Sequence, residues 1–511
     1  MVSKINTAGL TGISGYIVDV EVDINRGMPS FDIVGLPDSA IRESRERVTT
    51  ALSSIVKDFY SRRITINLAP ASTRKEGAAF DLPIAVAILV CIGIIDQERV
   101  ESTLISGELS LDGTVRSVNG ILPMVYSAKE AGLTKCVVPF ENSEEAALVE
   151  GIEVIGVNNL SEAVLHFTSM PLSPITVDID KFFEVDESDF YGLDFADVKG
   201  QKSVKRAIEV AAAGRHNILI IGPPGSGKTM LAKRLPGVLP DLTVDESLDV
   251  TMIYSISGLL SNKSCLITRR PFRSPHHTIS YSALTGGGRV PKPGEISLAH
   301  NGVLFLDELP EFPKAVLEVL RQPLEDGEVT VSRVNGTVTY PADCMLLASM
   351  NPCPCGHYGD SNKCRCKHNE VAKYLGKISG PLLDRIDIQV EAPAVKYDEL
   401  GNTKRDGETS KEVKKRVTAC QNIQRERYKD EGILTNSQLN APQIDKFCIL
   451  GDSEREILKR AFDSLGLTGR AYHKILKVAR TIADLDGSQD IKTNHLAEAI
   501  SYRSLDRKYW T

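Results

Sequence analysis

The segment from Gly222 to Thr229, GPPGSGKT, carries residue types suited to holding phosphate groups. It matches the pattern G-x-x-x-x-G-K-T, and it lies between an apolar stretch, NILII, and a segment of helical pattern. Glycines let backbone N–H groups wrap around the β- and γ-phosphates, and a helix N-terminus adds a favourable dipole. Lys228 can then bridge the two phosphates, and the Thr229 hydroxyl can bind Mg²⁺. The pattern predicts an ATP and Mg²⁺ site formed by Gly222, Pro223, Pro224, Gly225, Ser226, Gly227, Lys228 and Thr229.

Two later segments end in the polar groups that such a site needs. The apolar stretch GVLFLDE ends in Asp307 and Glu308, and DCMLLASMN ends in Asn351. We expect Asp307 to act on the metal and Glu308 to activate the attacking water as a general base. Asn351 is predicted to hydrogen-bond the γ-phosphate or that water.

Four of the ten cysteines form a separate cluster in NPCPCGHYGDSNKCRC. They have the pattern C-x-C-x8-C-x-C and are Cys353, Cys355, Cys364 and Cys366. Two close pairs joined by a short polar loop can surround Zn²⁺ tetrahedrally and leave no ligand position open for catalysis. The pattern therefore predicts a structural zinc site, and an iron–sulfur cluster is the competing interpretation. His357 or His368 could replace one cysteine.

The elements that must position these residues alternate between helix and buried strand. From Phe195 onwards, helical patterns such as KSVKRAIEVAAAG separate fully apolar strands such as NILIIG, as in a parallel sheet covered on both faces. The chain before this region mixes strand and helix patterns, and the chain after Pro393 is helical almost throughout. The predicted fold class is α/β. The predicted ranges are an N-terminal domain at 1–168, a linker at 169–194, a phosphate-loop core at 195–394 and a helical lid at 395–511.

Composition restricts the function further. The 511 residues include 60 basic and 67 acidic side chains, a formal net charge of −7, which argues against coating of nucleic acid by the whole surface but allows a local basic channel. The longest apolar run, Leu82 to Ile95, contains a proline and is too short to span a bilayer. The first residues lack a basic-then-apolar secretory pattern. We expect a cytoplasmic protein without a membrane partner.

The phosphate loop, the Asp-Glu strand and the Asn strand, in this order and followed by a helical tail, resemble the AAA+ ATPase family. This resemblance implies that Arg385, in ISGPLLDRIDI, is the arginine finger that enters the neighbouring subunit's site. It also implies that Arg470, in LTGRAYHKILKVARTIADL, is the second sensor carried by the lid. A fixed guanidinium offsets charge that develops on the γ-phosphoryl group, although either arginine could instead form a surface ion pair. A finger that acts between subunits requires a ring, and a homo-hexamer is expected.

Two insertions refine the comparison with this family. The stretch RRPFRSPHHTISYSALTGGGRVPKPGEISLAHNG resembles the insert of magnesium-chelatase subunits and replicative helicases; its His276 and His277 are left without a role. The stretch GEVTVSRVNGTVTY predicts a hairpin with its turn at Asn335-Gly336. In this family a hairpin just before the first sensor points into the pore of the ring. Arg333, near its tip, is the candidate for contact with DNA.

The N-terminal region carries an independent resemblance. The stretches PSFDIVGLPDSAIRESRERV, RITINLAPASTRKEGAAFDLPIAVAIL and SGELSLDGTVRSVNGILPM look like the N-terminal domain of the magnesium-chelatase-like AAA+ ATPases known as the ComM/YifB family. The resemblance covers essentially the whole chain. It implies a Lon-protease-like (ribosomal S5 domain 2-like) α/β domain before the AAA+ core and lid. The turn that holds the serine nucleophile in Lon is KEGAAF at 75–80 here, without a hydroxyl, so an active protease is not expected.

Together these features predict an ATPase that acts on DNA. The family resemblance implies a helicase or translocase for single-stranded or branched DNA, of the branch-migration type used in natural transformation and recombination. Arg42, Arg45 and Arg47, on one predicted helix, are candidates for guiding DNA, although Glu43 and Glu46 interleave with them. The alternatives are the ATPase motor of a magnesium chelatase and an ATP-dependent unfoldase. The absence of an acidic metal-binding domain after the lid argues against the first, and an arginine rather than an aromatic residue at the hairpin tip argues against the second.

Overall fold

The computed structural model describes residues 2–56, 62–184, 193–260, 264–288, 291–333, 336–358, 362–394 and 407–510, without the side chains of residues 333 and 336. Within these ranges the chain forms two compact units. The first unit comprises Met1–Val185 and Thr243–Thr268, and the second comprises Asp186–Leu242 and Arg269–Thr511.

The strands form one large sheet in each unit and several two-stranded pairs. In chain order they are β1 (Ser3–Thr11), β2 (Ser14–Asn25), β3 (Ser30–Val34), β4 (Arg63–Ala69), β5 (Thr103–Ile105), β6 (Glu108–Leu109), β7 (Val115–Arg116), β8 (Lys135–Pro139), β9 (Glu153–Val157), β10 (Ile218–Ile221), β11 (Phe272–Arg273), β12 (Gly286–Gly287), β13 (Lys292–Pro293), β14 (Val303–Leu306), β15 (Glu328–Arg333), β16 (Gly336–Pro341), β17 (Met345–Met350) and β18 (Ile388–Glu391).

The helices cover these sheets and make up most of the last hundred residues. In chain order they are α1 (Ser39–Ser53), α2 (Asp81–Cys91), α3 (Ile121–Glu130), α4 (Ser143–Ala146), α5 (Leu160–Thr168), α6 (Asp180–Phe183), α7 (Lys202–Gly214), α8 (Lys228–Ala232), α9 (Val244–Ser257), α10 (Tyr281–Thr285), α11 (Glu295–Leu298), α12 (Lys314–Val319), α13 (Pro323–Asp326), α14 (His368–Leu375), α15 (Gly380–Leu383), α16 (Ser410–Tyr428), α17 (Ala441–Phe447), α18 (Asp452–Leu465), α19 (Gly469–Leu485), α20 (Thr493–Ser501) and α21 (Leu505–Trp510).

The first unit is built on a seven-stranded mixed sheet of order β3-β4-β2-β1-β5-β8-β9. Helix α2 packs against β1 and β2, and every residue from Asp81 to Val90 is buried because the helix is apolar on all sides. The one charged residue in that run, Asp81, forms an ion pair with Arg47 of α1, with 2.6 Å between the Arg47 Nε and an Asp81 oxygen. A second apolar cluster, which includes α3 and α4, lies around β5 and β8.

The segment Thr243–Thr268 packs with the first unit, although the sequence placed it in the phosphate-loop core. Its helix, α9, supplies Ser255, whose backbone oxygen accepts a hydrogen bond of 3.2 Å from the Gly120 N–H and whose hydroxyl donates to the buried Glu145 carboxylate. Leu266 is buried in the apolar cluster around α3. An apolar and hydrogen-bonded fit to α3 and α4 therefore outweighs chain proximity to the phosphate loop. The other predicted domain boundaries remain predictions.

The second unit contains a five-stranded sheet of order β11-β14-β17-β10-β18, and every neighbouring pair in it is parallel. The predicted parallel sheet is therefore present. Strands β10, β14 and β17 are buried along their whole length, which explains their continuous apolar sequences. Helix α7 occupies the predicted residues, 202–214, whereas α8 ends at Ala232, earlier than the helical pattern suggested.

The helical region after residue 407 packs against α7 through α16 and α19 in one continuous apolar core. A buried polar cluster joins α19 to the sheet: Lys474 forms an ion pair of 2.9 Å with Asp387, which precedes β18. His216 contacts the same carboxylate at 3.3 Å and the Thr481 hydroxyl of α19 at 2.8 Å. Among the helices described, none is both long and apolar enough to cross a bilayer.

Candidate active site

The order of the parallel strands brings the predicted catalytic segments to one edge of the sheet. Strand β10 leads into the phosphate loop and lies directly beside β17, which Asn351 immediately follows. Strand β14, which leads into Asp307, lies on the other side of β17. The carboxyl ends of all three strands therefore meet, and this edge is where α/β sheets bind ligands.

The phosphate loop holds its lysine inside the protein. Lys228 is buried, and its Nζ donates to the backbone oxygens of Gly222 at 2.7 Å and Pro223 at 3.0 Å and to the Asn351 side-chain oxygen at 3.2 Å. Burial lowers the pKa of Lys228, although the carboxylates of Asp307 and Glu308 oppose this effect. Phosphate oxygens are stronger acceptors than these neutral oxygens, so the amino group is oriented for an anionic ligand.

The threonine of the loop is joined to the aspartate of β14. The Thr229 hydroxyl donates to one Asp307 oxygen at 2.8 Å. The other Asp307 oxygen accepts a hydrogen bond from Ser349, a fully buried residue of β17. The sequence reasoning missed Ser349. A single hydroxyl within the otherwise apolar strand MLLASM was the signal that could have identified it.

Glu308 stands at the exposed rim of this site. Its φ is 54°, in the left-handed region that a residue with a side chain rarely adopts. Its backbone N–H donates to Asp307 at 3.1 Å. Unusual backbone conformations of this kind cluster at functional sites, where the surrounding structure maintains them.

The sequence reasoning also missed Gln201, which hydrogen-bonds the backbone of the phosphate loop. Its side-chain amide donates to the backbone oxygen of Ser226 at 3.1 Å and to that of Pro393 at 2.6 Å. Gln201 is buried and precedes α7, so this helix and the loop are held together. Nothing in the local sequence pattern indicates this contact, because its partners lie 25 and 192 residues away.

The oxygen atoms at the site suit Mg²⁺. The Thr229 hydroxyl and the Asp307 carboxylate lie within hydrogen-bonding distance of each other, and hard oxygen donors of this kind are the ligands that Mg²⁺ prefers. Mg²⁺ usually binds through one or two protein oxygens together with substrate phosphates and water. The residues present therefore fit the predicted metal.

The two predicted arginines make their contacts outside the phosphate loop. The Arg385 guanidinium donates to the backbone oxygens of Arg321 at 3.0 Å and Pro381 at 2.7 Å, and it pairs with the Glu325 carboxylate. Arg470 is exposed and forms an ion pair of 3.4 Å with Asp384, the residue before Arg385. Their predicted roles in hydrolysis remain predictions.

The predicted hairpin is present as the antiparallel pair β15–β16, in which Arg333 lies opposite Gly336. Asn335, of the predicted turn, and the Arg333 side chain lie outside the described part of the chain. The exposed face carries hydroxyl pairs, Thr330 with Thr339 at 3.2 Å and Ser332 with Thr337 at 3.1 Å. On the other face, Val329, Val331 and Tyr340 are buried.

The four predicted cysteines come together in space. Their sulfur atoms all lie within 4.8 Å of one another. The distances are 3.4 Å from Cys353 to Cys355, 3.9 Å from Cys353 to Cys364 and 3.7 Å from Cys355 to Cys364. The backbone N–H groups of His357 and Arg365 donate to the Cys355 sulfur, as in thiolate metal sites. Among the residues described, only these four cysteines form a group that could bind a metal in this way.

Two other sets of candidate residues have simpler explanations. Arg47 forms an ion pair with the buried Asp81, whereas Arg42 and Arg45 are exposed; the suggestion that these arginines guide DNA remains a prediction. The rings of His276 and His277 lie 4.0 Å apart between centroids with 35° between their planes, and His276 also contacts the Thr278 hydroxyl. These contacts account for the two histidines without a ligand.

Comparison with known families covers most of the chain. Residues 194–400 match the family described as magnesium chelatase, subunit ChlI. Residues 20–142 match the family described as subunit ChlI of Mg-chelatase, and residues 407–503 match the C-terminal family of the same subunit.

Relatives match over nearly the full length. "Competence protein ComM" of Haemophilus influenzae is 43% identical over 498 residues, which cover 97% of this chain and 96% of that protein. The protein YifB of Escherichia coli is 41% identical over 509 residues, 99% of this chain and 97% of that protein. "Lon protease 2" of Bacillus subtilis is 26% identical over 189 residues, 33% of this chain and 34% of that protein. The phosphate-loop unit, the partial likeness to Lon and the full-length relatives agree, and the chain belongs to the magnesium-chelatase-like AAA+ family that includes ComM and YifB.

Proposed function

We propose that this chain is an ATPase that works as a hexameric ring and moves single-stranded or branched DNA, in natural transformation and recombination. The observation that carries the ATPase assignment is the hydrogen bond between Thr229 and Asp307, because it links the phosphate loop to the metal-binding strand. The DNA assignment is supported by the hydroxyl-bearing hairpin and by the full-length similarity to a competence protein.

Hydrolysis follows from the polar groups at the sheet edge. Lys228 exchanges its backbone acceptors for the β- and γ-phosphates, and its charge offsets theirs. Thr229 and Asp307 would hold Mg²⁺, which would neutralise part of the phosphate charge when bound. Glu308 accepts a proton from the attacking water, and its exposed position gives water access to the carboxylate. Asn351, already hydrogen-bonded to Lys228, orients the γ-phosphate or that water.

Arg385 completes the site of the neighbouring subunit. In the single chain its guanidinium is held by two backbone oxygens and by Glu325, which is itself largely exposed. In a ring, the terminal phosphate of the next subunit replaces Glu325 as the partner. Arg470 lies beside the same loop through Asp384, so it contributes from this side of the subunit. Of the two proposed roles, only that of Arg385 requires a neighbouring copy and hence a ring, whereas Arg470 acts from the lid.

DNA contacts the hairpin β15–β16. Its exposed Thr and Ser hydroxyls suit sugar and phosphate oxygens, which take most protein–DNA hydrogen bonds and carry no sequence information. Arg333, at the end of β15, adds the charge that pairs with phosphate. A motor that moves along DNA of any sequence needs contacts of this kind.

One observation favours a second function. All three matched families are named for a magnesium chelatase subunit, which supports an ATPase motor for insertion of Mg²⁺ into a tetrapyrrole. The full-length similarity to a competence protein favours the DNA motor instead.

Steady-state ATP hydrolysis by the full chain tests the proposal. We expect single-stranded DNA or a four-way junction to raise the rate several-fold, and Glu308→Gln and Arg385→Ala to abolish hydrolysis. Arg42→Ala, in the first unit, is the control and should retain the basal rate. A rate of ATP hydrolysis that neither DNA substrate changes would refute the DNA motor and leave the ATPase assignment intact.

The thiolate cluster binds Zn²⁺ in this proposal. A Zn–S distance of about 2.3 Å in a tetrahedron gives sulfur–sulfur distances of about 3.8 Å. The sulfur–sulfur distances among Cys353, Cys355 and Cys364, from 3.4 to 3.9 Å, bracket that value. Metal analysis of the purified protein should find about one zinc per chain, lost in a Cys353→Ser/Cys364→Ser double variant. Stoichiometric iron with visible absorption would identify an iron–sulfur cluster instead.

A further inference from the structure

The loop that carries the four cysteines begins directly at the ATP site. Asn351 is the first residue after β17, and Cys353 lies two residues later with no exposed surface. The side-chain oxygen of Asn351 accepts the 3.2 Å hydrogen bond from Lys228. The first metal ligand and the predicted sensor of the γ-phosphate therefore share one short stretch of backbone.

The loop that carries the cysteines also contacts the phosphate loop. Gly356 donates its N–H to the Cys353 backbone oxygen at 2.9 Å and has a φ of 81°, which favours glycine. A Cβ atom at this position would lie only 2.3 Å from the Cδ of Pro224. The backbone between Cys353 and His357 thus lies in direct contact with the loop that binds the phosphates, and no larger residue fits there.

The other end of the cysteine loop also returns to Asn351. The loop continues into α14, whose Tyr374 is buried. Burial raises the pKa of the Tyr374 hydroxyl, and the adjacent backbone of Asn351 opposes this effect. The loop that carries the four cysteines therefore begins and ends beside Asn351.

We propose that the metal in the thiolate cluster positions Asn351 and Pro224 for ATP hydrolysis, so that the ATPase depends on zinc as well as on Mg²⁺. This inference rests on the proposed zinc site and on the proposed ATPase. With four thiolates bound to one ion, the loop has a fixed shape, and its contacts keep the phosphate loop and Asn351 in fixed positions relative to each other. Without the ion, like-charged or unpaired sulfurs separate, and both contacts loosen. The cysteines are positioning residues, because they act on the nucleotide only through Asn351 and Pro224.

The test compares three variants of the full chain by zinc content and by basal ATP hydrolysis without DNA. Cys364→Ser should lose zinc and lower kcat at least tenfold with a smaller change in KM, because the loop orients the groups that act on the γ-phosphate. Gly356→Ala should retain zinc and still lower kcat, since all four cysteines remain while the added Cβ crowds Pro224 and strains the backbone at a φ of 81°. Cys265→Ser, a partly buried cysteine of the first unit, is the matched control and should leave both quantities unchanged.

A conservative variant shows whether Cys364→Ser lowers kcat through loss of the metal or through misfolding. Histidine is an alternative zinc ligand, so Cys364→His should recover zinc and most of the lost kcat. A Cys364→Ser protein that lacks zinc but retains the wild-type kcat would overturn the inference, as would a zinc-loaded Gly356→Ala protein with unchanged kcat. Wild-type protein without zinc would instead refute the zinc site, and wild-type protein without hydrolysis would refute the ATPase, so the three failures are distinguishable.

Discussion

Replacing Asp387 by asparagine tests whether the buried ion pair with Lys474 fixes the helical region to the sheet. The two side chains are 2.9 Å apart and only 12% and 14% exposed. Burial alone would raise the pKa of Asp387, but the Lys474 ammonium and His216 hold that pKa well below its usual range. Asp387→Asn preserves the shape of the site and removes the negative charge.

The expected loss of stability follows from this geometry. At 2.9 Å and an effective dielectric constant of about 20, two unit charges attract by about 6 kcal/mol, and desolvation offsets part of this. After the substitution Lys474 either remains charged without a counter-ion or loses its proton. Shifting a lysine pKa from about 10.4 to 7 costs about 4.6 kcal/mol, which sets an upper limit. We expect the free energy of unfolding to fall by about 3–4 kcal/mol.

The single tryptophan provides the assay. Trp510 lies in α21 of the second unit, so its fluorescence during urea unfolding reports on that unit. Asp384→Asn is the matched control, since Asp384 forms a more exposed pair with Arg470 and should change stability by no more than about 1 kcal/mol. Adding Lys474→Met to the Asp387 variant should restore much of the lost stability. A change below about 1 kcal/mol for Asp387→Asn alone would refute the reasoning.

Three further predictions address other contacts. The Asp387 pKa is depressed in the folded chain, so the ionised carboxylate stabilises the fold above about pH 4, and this contribution is lost as the pH falls further. Between about pH 5 and pH 2, the free energy of unfolding measured in urea should therefore fall more for the wild type than for the Asp387→Asn variant. Parallel curves for the two proteins would contradict this. Ser349→Ala removes a hydrogen bond to the Asp307 carboxylate worth about 1.5 kcal/mol, so kcat for ATP hydrolysis should fall about tenfold at saturating Mg²⁺; an unchanged kcat would count against this role. Arg47→Met leaves Asp81 buried without a counter-ion and should lower the free energy of unfolding of the first unit by about 3 kcal/mol, as followed by far-UV circular dichroism. Arg45→Met is the neutral control. Equal stabilities of the two variants would show that the Arg47–Asp81 pair is not needed.

Local sequence patterns predicted the parts of the site that each lie within one short segment. The phosphate loop, the ends of β14 and β17, the hairpin and the cysteine cluster were all located from residue type and spacing. Each of these depends on neighbours a few residues away, and the physical demand on them is visible in the sequence.

Contacts across the sheet could not be predicted in this way. Ser349 binds Asp307 only because β17 lies between β10 and β14, and strand order is not encoded in any one strand. Gln201 fixes the phosphate loop by a contact that spans the domain. The position of α9 in the first unit likewise depends on a surface formed by α3 and α4, which a single chain segment does not reveal.

The path of the chain through the two units limits how this protein can be divided. The chain passes between the units near residue 185, again between residues 242 and 243, and again between 268 and 269. A fragment that begins at residue 186 would carry α9 without the apolar cluster that covers it, and a fragment that ends at residue 185 would lack the Ser255 partner of the buried Glu145. Each half would expose surface that the other half of the sequence normally buries. A protease cut or a gene fusion boundary between the units would therefore yield two incomplete folding units rather than two domains.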